Sequence, residues 1–407
     1  METVRIRGIA AGGDGVGVLA DGLTVFVPRS APGELVEIDV ETRRRSFARG
    51  GLTRILEPSA ARVVPRCPHY DGDSCGGCQL QHLESGAQRE VRRRIVGDAL
   101  RRIGHLEAEV DAVQPAVSEW AYRAKITLAV KGRRIGFHRL GRPGSVFDLV
   151  RCHIARPELQ ALWSAVRRHR ALLPDDVESV ALRVDRQGAR HLIARTAGKA
   201  VWTGAKRMGE ALTRDGSAAV LWWTPAQGAP RTVAGAPEVY PATVFEQVNP
   251  PMGDRVRAHA VEELGAVRGL RVWDLYAGIG ETTAALAARG ARVESVEVDS
   301  RAVAMAERAG PADGVERHAG RVEEILPRLG SADVVIANPP RTGLGEEVTA
   351  QLPVRPPARL VYVSCDPATL ARDAERLAPV LRLTAVRAFD LFPQTSHVET
   401  VARFERA

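Results

Sequence analysis

At 407 residues the chain is longer than one ordinary domain, and we expect two to four domains. Basic residues exceed acidic residues by 8, and almost all of them are arginine, since lysine occurs only at positions 125, 131, 199 and 206. This balance predicts a polyanionic partner, because the planar guanidinium fork matches phosphate. No apolar run approaches the ~18 residues that span a membrane, and the first residues lack a signal-peptide pattern, so we expect a cytoplasmic protein with no membrane segment.

Residues 1 to about 60 read as short strands separated by glycine turns. Asp14-Gly15 and Asp21-Gly22 stand between alternating apolar residues, which is a hairpin signal. Repeated hairpins over this length predict a small OB-like barrel over residues 1–60. Between Arg43 and Arg54 there are five arginines and no acid. Such a run fits either a groove for a nucleic-acid backbone or an ordinary solvated surface.

Four of the five cysteines form a candidate metal site. Cys75 and Cys78 enclose two glycines, Cys67 lies shortly before them, and Cys152 stands far along the chain. Four thiolates suit zinc or a 4Fe-4S cluster equally by number. Three ligands close together and one remote favour the cluster, with zinc as the alternative, because zinc ribbons usually bring a second close pair. Buried structural thiols are the third reading.

The middle of the chain, residues 61–245, reads as an α+β domain. Helical spacing from Gln88 to Ile103 carries six arginines, which fit either an RNA-facing helix or an exposed one. Alternating runs from Arg123 to about Trp223 predict an antiparallel sheet with a helix near Pro157 to His169. A stretch rich in proline and glycine from Thr224 to Pro241 ends this region. No catalytic pattern occurs in it, so we expect a substrate-recognition domain by elimination.

Residues 246–407 alternate strand and helix, which predicts a mostly parallel sheet covered by helices on both faces. The first strand leads into a loop with Gly278 and Gly280, and the second strand ends at Glu297. The glycines let a ligand approach the backbone, and Glu297 is placed to accept hydrogen bonds from two ribose hydroxyls. A third glycine for pyrophosphate is missing. This βαβ unit therefore predicts a cofactor with an adenosine end.

Further strand ends carry chemistry-bearing residues. They are Asn338-Pro-Pro-Arg341, Ser364-Cys365-Asp366-Pro367 and His397-Val-Glu399-Thr, with Gln247-Val-Asn249 before the first strand. This order resembles that of the uridine-5 RNA methyltransferase family. The resemblance covers the chain, because residues 12–38 are similar to a TRAM domain and the cysteine set is similar to that of the cluster-containing branch of 23S rRNA enzymes.

The resemblance implies a multidomain α/β enzyme with a TRAM-like barrel, a central iron-sulfur domain and a Rossmann-like class I methyltransferase domain. It implies S-adenosylmethionine as cofactor, RNA (rRNA or tRNA) as substrate, and no obligate protein partner. The expected cofactor contacts are Gln247, Tyr276, Glu297 and Asn338, beside Gly278 and Gly280. The cluster ligands are Cys67, Cys75, Cys78 and Cys152.

The implied chemistry explains two further residues. Carbon 5 of uracil is too weak a nucleophile to take a methyl group until a nucleophile has added at carbon 6. A thiolate adds readily and can leave again, which is the role of Cys365 in the resemblance. Glu399 then matches the general base that removes the carbon 5 proton, and His397 could position either Glu399 or the uracil base.

Two positions depart from the family pattern. Asn338 stands where an aspartate is usual, and Asp366 stands where an asparagine follows the nucleophile. The exchanges could compensate electrostatically or alter the rate or the base accepted. Two rival functions remain at this point. One is a methyltransferase acting on a different base, suggested by Asn-Pro-Pro, and the other is an RNA-binding protein or chaperone with little catalysis.

Overall fold

The computed structural model describes residues 1–235, 244–310 and 313–407, so the end of the predicted proline- and glycine-rich boundary lies outside the described residues. The chain divides into two compact units. The first consists of Met1–Arg62, Leu83–Val117 and Pro251–Ala407, and the second of Val63–His82 and Ser118–Pro250. None of the helices in the described ranges combines the length and apolar character needed to cross a membrane.

The first unit begins with a six-stranded sheet. Its strands are β1 (Glu2–Arg5), β2 (Gly8–Ile9), β3 (Gly15–Val18), β4 (Thr24–Val27), β5 (Leu35–Arg43) and β6 (Ala48–Glu57), in the spatial order β1-β5-β6-β4-β3-β2. Alternate valines and isoleucines, such as Val36 and Ile38, are fully buried. The Arg7 N–H donates to the Val16 carbonyl (2.8 Å), which links the chain after β1 directly to β3.

The basic run on this sheet is largely neutralised. Three of its arginines pair with acids of neighbouring segments: Arg43 with Asp21, Arg49 with Asp14, and Arg54 with Glu37. Arg44 and Arg45, at the turn after β5, are exposed. The run itself contains no acid because these acids come from earlier parts of the chain: two from turns and one, Glu37, from β5.

Two helices follow, α1 (Pro68–Asp71) and α2 (Ser85–Arg102). Helix α2 belongs to the first unit, where Val96 and Leu100 enter a hydrophobic core. Arg92 is fully buried, although the sequence placed it with five other arginines on a helix expected to face RNA or solvent. The helical pattern was therefore right, and the exposure of this one arginine was wrong.

The second unit contains a mixed sheet. Its strands are β7 (Lys125–Lys131), β8 (Arg134–Gly136), β9 (His138–Arg139), β10 (Arg142–Val146), β11 (Val177–Val184), β12 (Arg190–Thr196), β13 (Val220–Thr224) and β14 (Arg231–Ala234), and its helices are α3 (Pro157–Arg168) and α4 (Ala205–Arg214). Six strands follow the order β14-β13-β12-β11-β7-β8, and β9 pairs with β10. The pairs are antiparallel as predicted, except that β12 and β13 run parallel.

The C-terminal part of the first unit alternates helix and strand. Its elements are α5 (Pro250–Glu263), β15 (Arg271–Leu275), α6 (Glu281–Ala287), β16 (Arg292–Glu297), α7 (Ser300–Arg308), β17 (Val315–Ala319), α8 (Val322–Ile325), β18 (Val334–Ala337), α9 (Glu346–Gln351), β19 (Arg359–Ser364), α10 (Pro367–Leu377), β20 (Leu381–Phe389) and β21 (Glu399–Arg406). The strand order is β17-β16-β15-β18-β19-β21-β20.

Successive residues of the central strands point into two different cores. Trp273 and Leu275 of β15 lie in one core with α10, and Val272 lies in the other with α5. The sheet is thus covered on both faces, as predicted. Strands β15 to β19 run parallel, and β21 runs antiparallel to β19. The carboxyl ends of the parallel strands therefore meet the amino end of β21 at one edge of the sheet.

Candidate active site

The loop after β15 has a backbone shaped for close approach. Tyr276, Gly278 and Gly280 have φ angles of 63°, 57° and 78°. A Cβ on Gly278 would have no heavy atom within 4 Å, whereas a Cβ on Gly280 would lie 3.1 Å from the Ala306 Cβ. Gly280 thus allows helices α6 and α7 to pack, and Gly278 leaves its backbone open to a ligand. Tyr276, a non-glycine residue in this region, marks a strained position of the kind that clusters at functional sites.

Glu297 is fixed by the backbone around it. Its two carboxylate oxygens accept hydrogen bonds from the Gly278 N–H and the Asp299 N–H, each at 2.8 Å. A carboxylate offers about four lone-pair sites, so each oxygen retains capacity for a further donor. The predicted contact with two ribose hydroxyls is compatible with this geometry.

Asp274 joins β15 to α6 below the loop. It is buried, and Thr283 donates its hydroxyl to one carboxylate oxygen at 2.6 Å. Burial raises the pKa of Asp274 to about 7, and the Thr283 hydrogen bonds oppose the shift. The sequence analysis did not single out Thr283. Thr283 could have been found from the sequence, because it is a hydroxyl residue in the first turn of the helix that follows the glycine loop.

The loop after β18 is held by helix α10. Asn338 is exposed at the strand end, where its N–H donates to the Leu275 carbonyl (3.1 Å). Further along, the Leu344 N–H (2.7 Å) and the Tyr362 hydroxyl (2.9 Å) both donate to one oxygen of Asp373, which is fully buried. Asp373 thereby anchors the loop that carries Arg341, a role that sequence reasoning missed.

Cys365 follows β19 and is half-buried. Its neighbour Asp366 caps helix α10, because one carboxylate oxygen accepts from the N–H groups of Ala368 (3.0 Å) and Thr369 (3.2 Å). Asparagine and aspartate are about equally good at a helix N-cap. The departure at Asp366 therefore preserves the cap and adds one negative charge beside the thiol.

The register of the sheet brings Glu399 opposite Cys365. Ser364 is paired with Thr400, whose hydroxyl donates to the Ser364 carbonyl at 3.0 Å, and the next facing positions are Cys365 and Glu399. Glu399 is only 2% exposed, and its Oε2 atom has no hydrogen-bond partner among the described residues. An orphaned buried carboxyl oxygen at the mouth of a sheet suggests a functional group.

The charges of this site act directly on the thiol. Burial raises the pKa of Cys365 to about 11, the Glu399 carboxylate adds to the increase, and the Arg341 guanidinium opposes it. Burial alone raises the pKa of Glu399 to about 8. The structure thus brings a thiol, an acid poised near neutral pH and a cation together. His397 is exposed, with its ring against Phe392 (centroids 6.0 Å apart), whereas Glu399 is buried.

Gln247 belongs to the second unit. It is partly buried in a segment that Arg183 holds through the Val244 carbonyl (2.8 Å) and the Glu246 carboxylate. Its contact with the cofactor stays a prediction.

The four other cysteines come together within the second unit. All four are free thiols, and Cys67, Cys78 and Cys152 pack with Tyr70, Tyr122 and Ile154. Burial raises the pKa of Cys78, and the neighbouring thiols of Cys152, Cys75 and Cys67 raise it further. The remote Cys152 thus lies beside the three that are close in sequence.

His69 ties the two parts of this cysteine set. Its Nδ1 atom lies 2.7 Å from an Asp73 carboxylate oxygen, and its Nε2 atom accepts from the Val150 N–H at 3.2 Å. The imidazole therefore links the loop of Cys67 to the segment that precedes Cys152.

Comparison with known proteins identifies the family. A family model described as tRNA (Uracil-5-)-methyltransferase matches residues 311–407. The 23S rRNA (uracil(1939)-C(5))-methyltransferase RlmD of Azoarcus sp. (strain BH72) is 34% identical over 100% of both chains. That of Thiobacillus denitrificans (strain ATCC 25259 / T1) is 33% identical over 97% of each. The crystal structure of Pyrococcus abyssi tRNA (uracil-54, C5)-methyltransferase in complex with S-adenosyl-L-homocysteine shares the fold, with a TM-score of 0.71 and 23% identity over 99% of this chain and 100% of that one.

The seven-stranded sheet is accordingly that of a class I methyltransferase, as predicted. Similarity at this level over the full length favours the enzyme over the rival of an RNA-binding protein or chaperone with little catalysis. The chain belongs to the S-adenosylmethionine-dependent RNA (uracil-5-)-methyltransferase family.

Proposed function

We propose that this enzyme methylates carbon 5 of a uridine in 23S rRNA through a covalent bond between Cys365 and carbon 6 of the base. The observation that carries the proposal is that the buried, orphaned carboxyl of Glu399 acts on the charge of the Cys365 thiol where the paired strands β19 and β21 meet. The preference for 23S rRNA follows the full-length relatives, which are named for that substrate. A tRNA uridine is the second candidate, since the structural neighbour is named for tRNA.

The first chemical step belongs to Cys365. Its thiolate adds to carbon 6, the thiol proton passes to solvent, and the electron pair of the ring double bond moves onto carbon 5. Arg341 favours the thiolate, because its guanidinium lowers the pKa that burial raises. S-adenosylmethionine supplies the methyl group that carbon 5 then takes. A base in this position must be unstacked from its neighbours in the RNA to reach the pocket.

The second step belongs to Glu399. Its carboxylate takes the proton of carbon 5, the ring double bond re-forms, and the Cys365 thiolate leaves. Burial makes this carboxylate a stronger base than an exposed one, because it holds the pKa near 8. The net change is one methyl group gained by the uridine and one proton released. His397 is exposed and stands two residues away, so we assign it no proton transfer.

We assign cofactor binding to the loop after β15 and its neighbours. Gly278 leaves open space at its Cβ position for the adenosyl group, and Glu297 receives the ribose hydroxyls. Tyr276 contacts the cofactor from the same loop, and Asn338 does so from the adjoining strand end. By the family resemblance alone, Gln247 is a further proposed cofactor contact. Gly280 acts indirectly, since it lets α6 start where it does.

We propose that Cys67, Cys75, Cys78 and Cys152 hold a 4Fe-4S cluster. The donor set fits, because the mutual repulsion that raises the pKa of Cys78 is relieved when a cation binds four thiolates. Three ligands close together in the sequence and one remote favour iron-sulfur over zinc, because zinc ribbons usually bring a second close pair.

We further propose that residues 1–60 act as a TRAM-like RNA-binding barrel, residues 61–245 as an iron-sulfur and RNA-recognition domain, and residues 246–407 as the catalytic domain acting on RNA in the cytoplasm. The link from Arg7 to Val16 supports a closed barrel. Arg44 and Arg45 are the exposed arginines of its basic run that pair with no acid among the described residues. They are the candidates for phosphate contact.

Mass mapping of 5-methyluridine in rRNA and tRNA, from cells with and without the gene, tests the substrate. We expect one 23S rRNA uridine to lose its methyl group. Loss confined to tRNA would overturn the rRNA assignment and support the second candidate. Incubation with 5-fluorouridine RNA and cofactor tests the chemistry: a covalent protein–RNA adduct that depends on Cys365 is expected, and a methylated base other than uracil, without such an adduct, would refute the mechanism.

A further inference from the structure

Helix α2 forms hydrogen bonds and an ion pair with the loop that leads to Glu399. This loop, residues 390–398, joins β20 to β21 and ends one residue before Glu399. Arg92, with no exposed surface, donates from Nε (3.1 Å) and Nη2 (2.8 Å) to the Thr395 carbonyl and from Nη2 to the Phe392 carbonyl (3.3 Å). Its Nη1 atom lies 3.3 Å from a carboxylate oxygen of Asp390, which is itself buried.

Gln88, one turn earlier on the same helix, adds a second set of bonds. Its amide nitrogen donates to the Gln394 side-chain oxygen (3.0 Å), and its amide oxygen accepts from the Gln394 N–H (2.9 Å). Gln394 has a φ of 72°, a conformation that side chains with a Cβ rarely adopt without support. Both polar groups of the buried Gln88 side chain thus form hydrogen bonds with Gln394, the strained residue of the loop.

The chain beyond α2 supports the same hairpin from its edge. The Gln114 N–H donates to the Ala388 carbonyl (2.8 Å), and the Asp390 N–H donates to the Gln114 carbonyl (2.9 Å). These bonds extend the sheet past β20 up to the first residue of the loop. Residues from 83 to 117 therefore hold the hairpin of β20 and β21 by both a helix and an added strand-like segment.

We propose that Arg92 is a positioning residue for Glu399, holding residues 390–398 so that the carboxyl reaches the carbon 5 proton. The inference rests on the proposed role of Glu399. A buried ion pair contributes little to stability compared with apolar packing of the same volume, so its presence needs another explanation. Orientation of a proton-transfer group supplies one, because a general base must stand within hydrogen-bond reach of its proton.

The positioning role predicts a selective defect. Formation of the methylated adduct uses Cys365 and the cofactor loop, whereas release of the product uses Glu399. Loosening residues 390–398 should therefore slow release and leave adduct formation nearly intact. A purely structural role would lower both steps together, through a smaller folded fraction.

The test compares Arg92→Gln with Arg359→Gln on unmodified 23S rRNA transcript, in single turnovers with tritiated methyl donor. Arg359 is a matched control, because it also pairs with an acid, Glu405, and binds a carbonyl, that of Leu264, but stands at the opposite end of β19 from Cys365. Tritium in the denatured protein–RNA band reports the adduct, and tritium in free RNA reports release. Arg92→Gln/Asp390→Asn repeats the test without an unpaired buried charge, and S-adenosylhomocysteine affinity checks folding.

For both Arg92 variants we expect release to slow about tenfold or more, with adduct formation and S-adenosylhomocysteine affinity within about twofold of the wild type. Equal loss in both steps, or rates matching Arg359→Gln, would overturn the inference. Glu399→Gln distinguishes the two proposals. If Glu399→Gln accumulates the methylated adduct and the Arg92 variants do not, only the positioning role of Arg92 is contradicted. If Glu399→Gln releases product normally, the base assignment falls and the positioning role with it.

Discussion

The chain carries two kinds of cysteine site, and burial raises the thiol pKa in both. At Cys365 the neighbours are unlike the thiol: a carboxyl that raises its pKa further and a guanidinium that lowers it. At Cys78 the raising neighbours are three other thiols. A cysteine that must add to a base and leave again needs a cation and an acid beside it. Cysteines that repel one another as thiolates need a bound metal centre.

The two sites also differ in how they are supported. Cys67 accepts hydrogen bonds from the backbone N–H groups of His69 and Tyr70, which favour its thiolate, and Cys152 accepts from those of Ile154 and Ala155. Cys365 instead faces side chains brought in from β21 and from the loop after β18. Backbone N–H groups thus support the proposed metal site, whereas the proposed reaction centre depends on side chains from three separate strand ends.

The largest expected effect is that of Cys365→Ala, which should affect the proposed reaction centre and leave the four-cysteine site unchanged. Cys365→Ala should abolish methylation, a loss of at least about 10³-fold, because carbon 5 is not activated without a thiolate. Methyl transfer to 23S rRNA transcript measures it. Iron content and S-adenosylhomocysteine affinity should stay at wild-type values. Substantial methylation by this variant would remove the covalent mechanism.

Next in size is Glu399→Gln, for which we expect turnover to fall by about 10²- to 10⁴-fold as the methylated adduct accumulates. A denaturing gel with labelled methyl groups shows the adduct. Glu405→Gln, on the same strand and half-exposed, is the matched control and should turn over normally. Loss of adduct formation along with turnover would show that Glu399 acts before methyl transfer.

Cys78→Ser tests the second site. We expect loss of iron and acid-labile sulfide from protein purified without oxygen, and a lower melting temperature, because the three remaining cysteines lose the centre that joins them. Cys365→Ser, analysed in parallel, should keep its full iron content. A colourless wild-type protein with stoichiometric zinc would replace the iron-sulfur assignment by the alternative.

The pH dependence of release gives a smaller effect. The pKa of Glu399 is raised to about 8, so near pH 7 most molecules carry the protonated acid, which cannot accept a proton. Release from the methylated adduct should therefore rise with pH, approaching tenfold per unit well below about 8, and level off above it. Glu399→Gln should show no such rise. A flat profile in the wild type would contradict the base assignment.

The smallest effect concerns Asp366. Its charge raises the pKa of Cys365, whereas its cap is one that asparagine forms equally well. Asp366→Asn should leave the melting temperature unchanged and make Cys365 react about two- to threefold faster with iodoacetamide near pH 8, since more thiolate is present. Ala368→Ser, in the same helical turn, is a neutral control. An unchanged rate would mean that the charge at 366 does not reach the thiol.

Short motifs were enough to propose most of the candidate site. Gly278, Gly280 and Glu297 follow from a βαβ pattern, and Cys75 and Cys78 follow from their spacing. The predicted binding roles of these residues depend on other residues only a few positions away in the sequence, so a short sequence pattern is enough to indicate them. Cys365 and Glu399 needed the family resemblance, because a cysteine at a strand end has no specific meaning by itself.

The sequence by itself determined the alternation of strand and helix, the cofactor loop, and which residue types can carry the reaction. Only the tertiary structure decided which arginines remain exposed and without an acidic partner in the described residues. Acids from other segments of the barrel pair with Arg43, Arg49 and Arg54. Burial makes Arg92 the partner of Asp390, although the sequence offered it as a candidate RNA contact. The antiparallel return of β21 set Glu399 opposite Cys365. These outcomes join residues far apart in the chain, and charge and burial depend on such contacts, which spacing along a sequence does not contain.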